Sequence, residues 1–299
     1  MKALVFGSLN IDKVYSLAHL PDKRDTLRCN NYELHVGGKG LNQAIALSKV
    51  GFEVSMAGAI GTDGIFLKEY LDKNGIDTSL LLTTDGFSGH AVIEVDTEGQ
   101  NQMILFAGAN FSITPDYCDR VLESCAKGDL ILMQYETSCV EYMTEKAHRK
   151  GLTVALNPSP YVKELQSFPY DKTDILILNE SEGMSITGKN DAESAVKALL
   201  GRLGGGKVVL TLGGDGAIFA DADEYIRIPA FRVNAVDTTG AGDTFTGYFL
   251  NAYLNGTDAE SSLIRAAAAS AIAVTQPGAA QTRPSPVQVD AFLSTRKEN

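Results

Sequence analysis

Cysteine is scarce in this chain and poorly placed for metal or redox work. Cys29, Cys118, Cys125 and Cys139 form no C-x-x-C pair. They are expected to be free thiols, and the chain is expected to be cytoplasmic. His19, His35, His90 and His148 are scattered without metal-ligand spacing, so no structural zinc site is expected. Basic runs are absent, and the formal net charge is −11. That balance argues against nucleic acid and anionic membranes as partners, though not against a nucleotide, which local amides can bind. No stretch of about 18 residues is free of polar ones, so no transmembrane helix is expected. The opening run Met1-Lys-Ala-Leu-Val-Phe-Gly-Ser8 is too short for a secretory signal and has no small-residue cleavage site after it. Two familiar nucleotide motifs are missing as well. Gly204-Gly-Gly-Lys207 is followed by Val208 where a Walker-type loop needs Ser or Thr. No G-x-G-x-x-G follows a strand, which counts against a dinucleotide fold.

What is present is an alternation of apolar runs and helical patterns. Apolar residues make up 44% of 299, enough for a sizeable core. Strands are expected at Ala3 to Gly7, Val54 to Ala59, Leu130 to Met133, Val154 to Leu156, Ile175 to Leu178 and Val208 to Leu212. Helices are expected at Gly40 to Val50 and Gly64 to Asn74, and helical patterns accompany the other runs. Short continuous apolar strands between helices imply an α/β fold with a mostly parallel sheet covered on both faces. Residues 11–36 and 89–108 break this rhythm with period-2 alternation. Asp96-Thr-Glu-Gly99 between two such runs is a hairpin signal. Both segments are read as a small β-sheet lid, the alternative being edge strands of the main sheet. The alanine-rich stretch Ala266 to Ala273 points to close helix packing. A single domain spanning 1–299 is expected.

Two glycine-rich turns carry the chemistry. In Asp237-Thr-Thr-Gly-Ala-Gly-Asp243, the small residues Gly240, Ala241 and Gly242 allow close backbone approach, and a helix follows at once. The free amides of a helix start, with roughly half a positive charge, suit a phosphoryl group. Asp243 stands where a carboxylate could accept a hydroxyl proton; alone, it could equally be a helix cap. His35-Val-Gly-Gly-Lys-Gly-Leu-Asn42 is a second glycine turn into a helix. Gly37, Gly38, Lys39 and Asn42 there fit a small polyol.

Together these residues resemble the ribokinase-like sugar kinases, the PfkB carbohydrate kinase family, from Leu4 to about Phe292. The resemblance implies a three-layer α/β/α sandwich with a mostly parallel central sheet and a small β-sheet lid. It implies an ATP-dependent kinase acting on a primary hydroxyl of a free sugar, with O5 of D-ribose the expected acceptor. A fructokinase, deoxyribokinase or nucleoside kinase is the alternative within the family, and a non-catalytic sugar sensor the alternative outside it. Asp243 would be the general base, with Gly240, Ala241 and Gly242 as the anion hole. The sugar would be held by Asn10, Asp12, Gly38, Lys39, Asn42 and Glu136, with Ala91 and Leu105 from the lid. Asn179 and Glu182, an N-x-x-E pair, would act on the phosphates and on magnesium. Thr211, Gly213 and Gly216, together with Gly242, would contact the nucleotide. A monovalent cation, usually potassium, would sit among Asp237, Thr239, Ala273, Gln276, Gly278 and Thr282.

Several of these residues have a plainer explanation when taken singly. Asn10 and Asp12 could be turn residues, Glu136 a helix N-terminal acid, and Asn179 with Glu182 a capping box. Departures from the family pattern also stand out. The lid turn Leu20-Pro-Asp-Lys-Arg-Asp-Thr26 lacks the family's Gly-Glu, which bears on a homodimer formed through the lid. His90 precedes the lid alanine and is expected to narrow or re-aim the sugar pocket. Ala267 falls where a base-contacting His or Asn is frequent, and Tyr248 replaces a small residue as a packing change.

Overall fold

The computed structural model describes residues 1–276 and 283–295. In chain order the first half runs β1 (Ala3–Phe6), β2 (Asn10–Ser16), β3 (Asn31–Gly37), α1 (Lys39–Lys49), β4 (Val54–Gly61), α2 (Ile65–Lys73), β5 (Leu81–Thr84), β6 (Gly89–Val95), β7 (Asn101–Phe106), α3 (Pro115–Glu123), β8 (Leu130–Gln134) and α4 (Val140–Lys150). The second half runs β9 (Thr153–Asn157), β10 (Ile175–Asn179), α5 (Glu180–Thr187), α6 (Ala192–Leu200), β11 (Lys207–Thr211), β12 (Ala217–Ala220), β13 (Tyr225–Ile228), α7 (Ala241–Leu254), α8 (Ala259–Ala273) and α9 (Pro286–Ser294).

The main sheet has nine strands in the order β13-β12-β11-β10-β9-β8-β1-β4-β5. It is parallel from β11 to β5, and β12 and β13 add an antiparallel edge. Period-2 alternation sends successive side chains to opposite faces. Ala3, Val5, Leu130 and Leu132 join one core with α1, α2, α7, α8 and α9. Leu4, Phe6, Ile131 and Met133 join the other with α3, α4, α5 and α6. This is why the strands read as unbroken apolar runs. The alanines Ala266, Ala268, Ala269, Ala271 and Ala273 are buried on α8, which packs on α7. Tyr248 is buried in α7, and its hydroxyl donates to the Pro284 carbonyl at 2.6 Å.

The two rhythm-breaking segments form a separate four-stranded sheet, β3-β2-β6-β7, not edge strands of the main one. Its register aligns His35, Asp12, Ala91 and Leu105 across the four strands. These four side chains therefore share a face. His90 belongs to the other face, in register with Ile11 and Phe106. It stacks against Phe106 with ring centroids 5.0 Å apart. The expectation that His90 narrows the pocket beside Ala91 is thus corrected: neighbouring residues on a strand point opposite ways.

Candidate active site

The site forms along the carboxyl ends of the parallel strands, the usual place for a ligand in an open α/β sheet. Gln134, Asn157, Asn179 and Thr211 are the last residues of β8, β9, β10 and β11. Gln134 stands opposite Asn157 and Asn179 opposite Thr211 in the ladder. A cleft of about 780 Å³ runs over this row. One end is walled by Asn179, Glu182, Thr211 and the turn Gly213 to Gly216; Lys39, Asn157 and Asp243 line the other. Ala267 also lines the cleft.

The turn into α1 is dictated by sterics. Gly38 has φ +93, and a Cβ there would come within 2.8 Å of the Ser8 carbonyl oxygen. A Cβ on Gly40 would meet the Gly7 carbonyl carbon at 2.6 Å. Only glycine lets β1 and α1 meet so closely. This contact brings Lys39 and Asn42 to the end of β1. Asn42 is buried and its Oδ1 has no hydrogen-bond partner among the described residues. Such an orphan acceptor is costly unless a ligand's hydroxyl meets it.

Glu136 lies three residues before the N-cap of α4, so it is not a first-turn helix acid. Its Oε2 accepts from the Ser8 hydroxyl and from the Lys39 amide, the latter at 3.1 Å. Burial raises its pKa above the ordinary carboxylate range, although Ser8 and Lys39 pull the other way. Burial and the nearby Glu136 charge push Asp12 up to about 6, against the opposing pull of His35. For Lys39, burial alone would lower the pKa, but Asp243, Glu136 and Glu182 outweigh it and the net direction is upward. Its ammonium is thus held charged by three carboxylates. Asn10 Oδ1 accepts from Asn110 Nδ2 at 2.8 Å. Ala91 is buried, whereas Leu105 across from it is 53% exposed.

α7 begins at Ala241, with Gly240 as N-cap in the left-handed region at φ 70 and no side chain capping it. A bare helix start therefore faces the cleft, which Gly240, Ala241 and Gly242 all line. The Ala241 amide makes a long contact, 3.3 Å, to the Thr238 carbonyl. Asp243, in the first turn, is buried and accepts from Gln43 Nε2 at 2.9 Å. The buried Arg283 guanidinium also feels Asp243, and burial lowers its pKa to about 10.

Asn179 and Glu182 form a reciprocal capping box on α5, at 2.9 and 3.0 Å. The pair serves the helix while Glu182 also lines the cleft. Asp237 Oδ1 accepts from the Thr239 amide at 2.8 Å, and the Val236 and Asp237 amides both donate to the Val274 carbonyl. This ties the Asp237 loop to the end of α8, near Ala273 and Gln276. Gly278 and Thr282 lie outside the described residues.

Sequence reasoning missed Ser8, Gln43, Asn110, Gln134 and Asn157. Each is a buried polar residue, and each finds its partner far along the chain. A polar residue ending an apolar strand was the available signal for Gln134 and Asn157.

The chain matches the pfkB family carbohydrate kinase profile over residues 1–286. It is 33% identical to a deoxyribokinase of Salmonella typhi over 98% of this chain and 99% of that one. It is 35% identical to a ribokinase of Haemophilus influenzae over 97% of both. Among solved structures, Arabidopsis thaliana ribokinase complexed with ribose and ATP superposes with a TM-score of 0.84 at 28% identity, over 98% of each chain.

Proposed function

The chain belongs to the pfkB family of carbohydrate kinases, and from that premise we propose that it transfers the γ-phosphate of ATP to O5 of D-ribose. The observation that carries this reading is that Lys39, held by its backbone amide to the buried Glu136 carboxylate, lines one cleft together with Asp243, Asn179, Glu182, Thr211 and the glycine turn.

Each residue then has a physical task. A sugar hydroxyl is a weak nucleophile near neutral pH, and Asp243 accepts its proton as the bond to phosphorus forms. Base assistance of this kind is worth about 10²–10⁴ in rate. Phosphoryl transfer depends more on positioning and charge stabilisation. The helix start at Gly240, Ala241 and Gly242 faces the migrating phosphoryl group. Asn10, Asp12, Gly38, Lys39, Asn42 and Glu136 hold the sugar hydroxyls, the carboxylates by accepting and Lys39 by donating. The lid brings Ala91 and Leu105 over the sugar and excludes water.

Thr211, Gly213 and Gly216 take the nucleotide. Nothing lies within 4 Å of where a Cβ would stand on Gly213, Gly214 or Gly242, so the cleft meets bare backbone there. The carboxylate of Glu182 in the cleft fits a hydrated magnesium ion, with Asn179 beside it. Magnesium supplies charge neutralisation on the phosphates. The carbonyl-rich junction of the Asp237 loop and the end of α8 fits a monovalent cation held by Asp237, Thr239, Ala273 and Gln276, with Gly278 and Thr282. The exposed apolar side chains Leu34, Ile104 and Phe106 of the lid sheet fit a homodimer.

A deoxyribose acceptor is the second reading, favoured by the 33% identity to the Salmonella typhi deoxyribokinase. ADP release with magnesium and potassium, measured across ribose, 2-deoxyribose, fructose, other pentoses and nucleosides, separates these. A maximum in kcat/KM for ribose is expected. A maximum for 2-deoxyribose or fructose would overturn the acceptor while leaving the Asp243 chemistry intact.

A further inference from the structure

Three side chains behind the candidate base form one buried chain of amides. Gln134 Nε2 donates to Gln43 Oε1 at 2.6 Å. Gln43 Nε2 donates to Asn157 Oδ1 and to Asp243 Oδ1, both at 2.9 Å. Asn157 Nδ2 donates to the Ile177 carbonyl at 2.8 Å. Gln43 and Gln134 are fully buried.

The direction of this chain is fixed at its far end. A backbone carbonyl can only accept, so Asn157 must turn its Nδ2 toward Ile177. Its Oδ1 then faces Gln43, and Gln43 must answer with its amino group. That amino group has two hydrogens, and the second goes to Asp243. A flipped Gln43 would set its oxygen against Asn157 Oδ1 and the Asp243 carboxylate together. The amide orientation therefore follows from β10 outward, through β9 and α1, to α7.

We infer that Gln43 is a positioning residue for the phosphoryl-transfer step, fixing Oδ1 of Asp243 so that its other carboxylate oxygen is directed to the acceptor hydroxyl. This rests on the reading of Asp243 as the base. Gln43 restrains the Asp243 carboxylate through a neutral donor at 2.9 Å.

The test is a double-mutant cycle with Gln43→Met, which keeps the length of the side chain and removes the donor, and Asp243→Asn. Gln43→Met is expected to lower kcat roughly 10- to 100-fold, the scale of a misplaced catalytic group. The KM values for sugar and ATP should move less than about threefold, since no ground-state contact is lost. In the Asp243→Asn background the same substitution should leave the residual rate unchanged. An unaltered kcat for Gln43→Met, or an equal fold-loss in both backgrounds, would overturn the inference. Should Gln43→Met fail to fold, Asn157→Ser replaces it in the cycle: it frees the Gln43 amide to turn, and the same two outcomes decide. Asp243→Asn is measured alone in the series, so near-normal turnover there would reject the base itself, separately from Gln43.

Discussion

Gly247 on α7 lies so close to Ala46 on α1 that a Cβ built on it would come within 2.6 Å of the Ala46 Cβ and 2.9 Å of its carbonyl carbon. The same pair of helices carries Gln43 and Asp243, so this contact sets the spacing across which they bond. Gly247→Ala gains about 1 kcal/mol in helix propensity. Overpacking against backbone that cannot move aside costs about 1–3 kcal/mol. A net loss of up to about 2 kcal/mol is expected by urea denaturation, together with a fall in kcat. Ala46→Gly in the same chain should restore kcat, because it returns the missing space. Unchanged stability and turnover in Gly247→Ala would show that the two helices can part without cost.

Asp243→Asn keeps the shape of the side chain and removes the base. Turnover is expected to fall by about 10²–10⁴, with an unchanged melting curve and retained sugar binding by calorimetry. Near-normal turnover would remove Asp243 as proton acceptor.

Much of this architecture was legible because its strands are buried on both faces. Leu130 to Met133 and Ile175 to Leu178 could be read as strands without knowing their neighbours. The glycine turns at Gly38 and Gly240 were legible for a similar reason: local sterics allow few other residues there. The hairpin β12–β13 left a weaker trace, since Tyr225 on its outer strand is half exposed and the run is only four residues long. The amide chain left none. Gln43 and Asp243 are 200 residues apart in sequence, and nothing local to either specifies the other. His90 is a different case. Strand alternation from Ala91 already placed it on the opposite face, and only the register of β2 with β6 made that plain.

Sugar affinity should depend on pH through Asp12. Its carboxyl is pushed up to about 6 by burial and by Glu136. A group raised in this way is protonated in the empty site below that pH, while sugar hydroxyls donate to the ionised form. The sugar KM is therefore expected to rise below about pH 6, approaching tenfold per pH unit for a single proton. Stability runs the opposite way: ionising a buried carboxylate costs the folded state, so Asp12 takes stability away as pH rises from 3.8 through about 6. Initial rates between pH 5 and 8, with Asp12→Asn as the comparison, test this. A wild-type KM that stays flat down to pH 5, in about the range where carboxylates rarely titrate, would mean that Asp12 does not bind sugar as a carboxylate.

Potassium should activate through the Asp237 loop. The amides of Val236 and Asp237 are tied to the Val274 carbonyl, so a cation binding there would order the segment that leads into Gly240. Initial rates in potassium, compared with a large organic cation at equal ionic strength, are expected to be several-fold higher. Asp237→Ala should abolish the difference. Equal rates in both salts would exclude a bound monovalent cation from the reaction.

The lid predicts an assembly as well as a cover. On the face opposite Asp12, Leu34, Lys13, Val92 and Ile104 stand in register across β3, β2, β6 and β7. Leu34 is 52% exposed and Ile104 68% exposed. Tyr15 and Tyr32 continue the patch with ring centroids 4.9 Å apart. An exposed face of this kind, with apolar side chains on either side of Lys13, marks an association surface on a small sheet. A second copy of the chain offers a self-complementary partner, since a two-fold axis brings the same patch to itself. Ile104→Asp places a charge at the exposed β7 end of that row without touching the face that bears Asp12 and Ala91. Sedimentation should find a dimer for the wild type and a monomer for Ile104→Asp. If the lid closes over the sugar only when braced by its partner, the monomer should also show a raised sugar KM with little change in the ATP KM. A wild type that sediments as a monomer at micromolar concentration would refute the assembly.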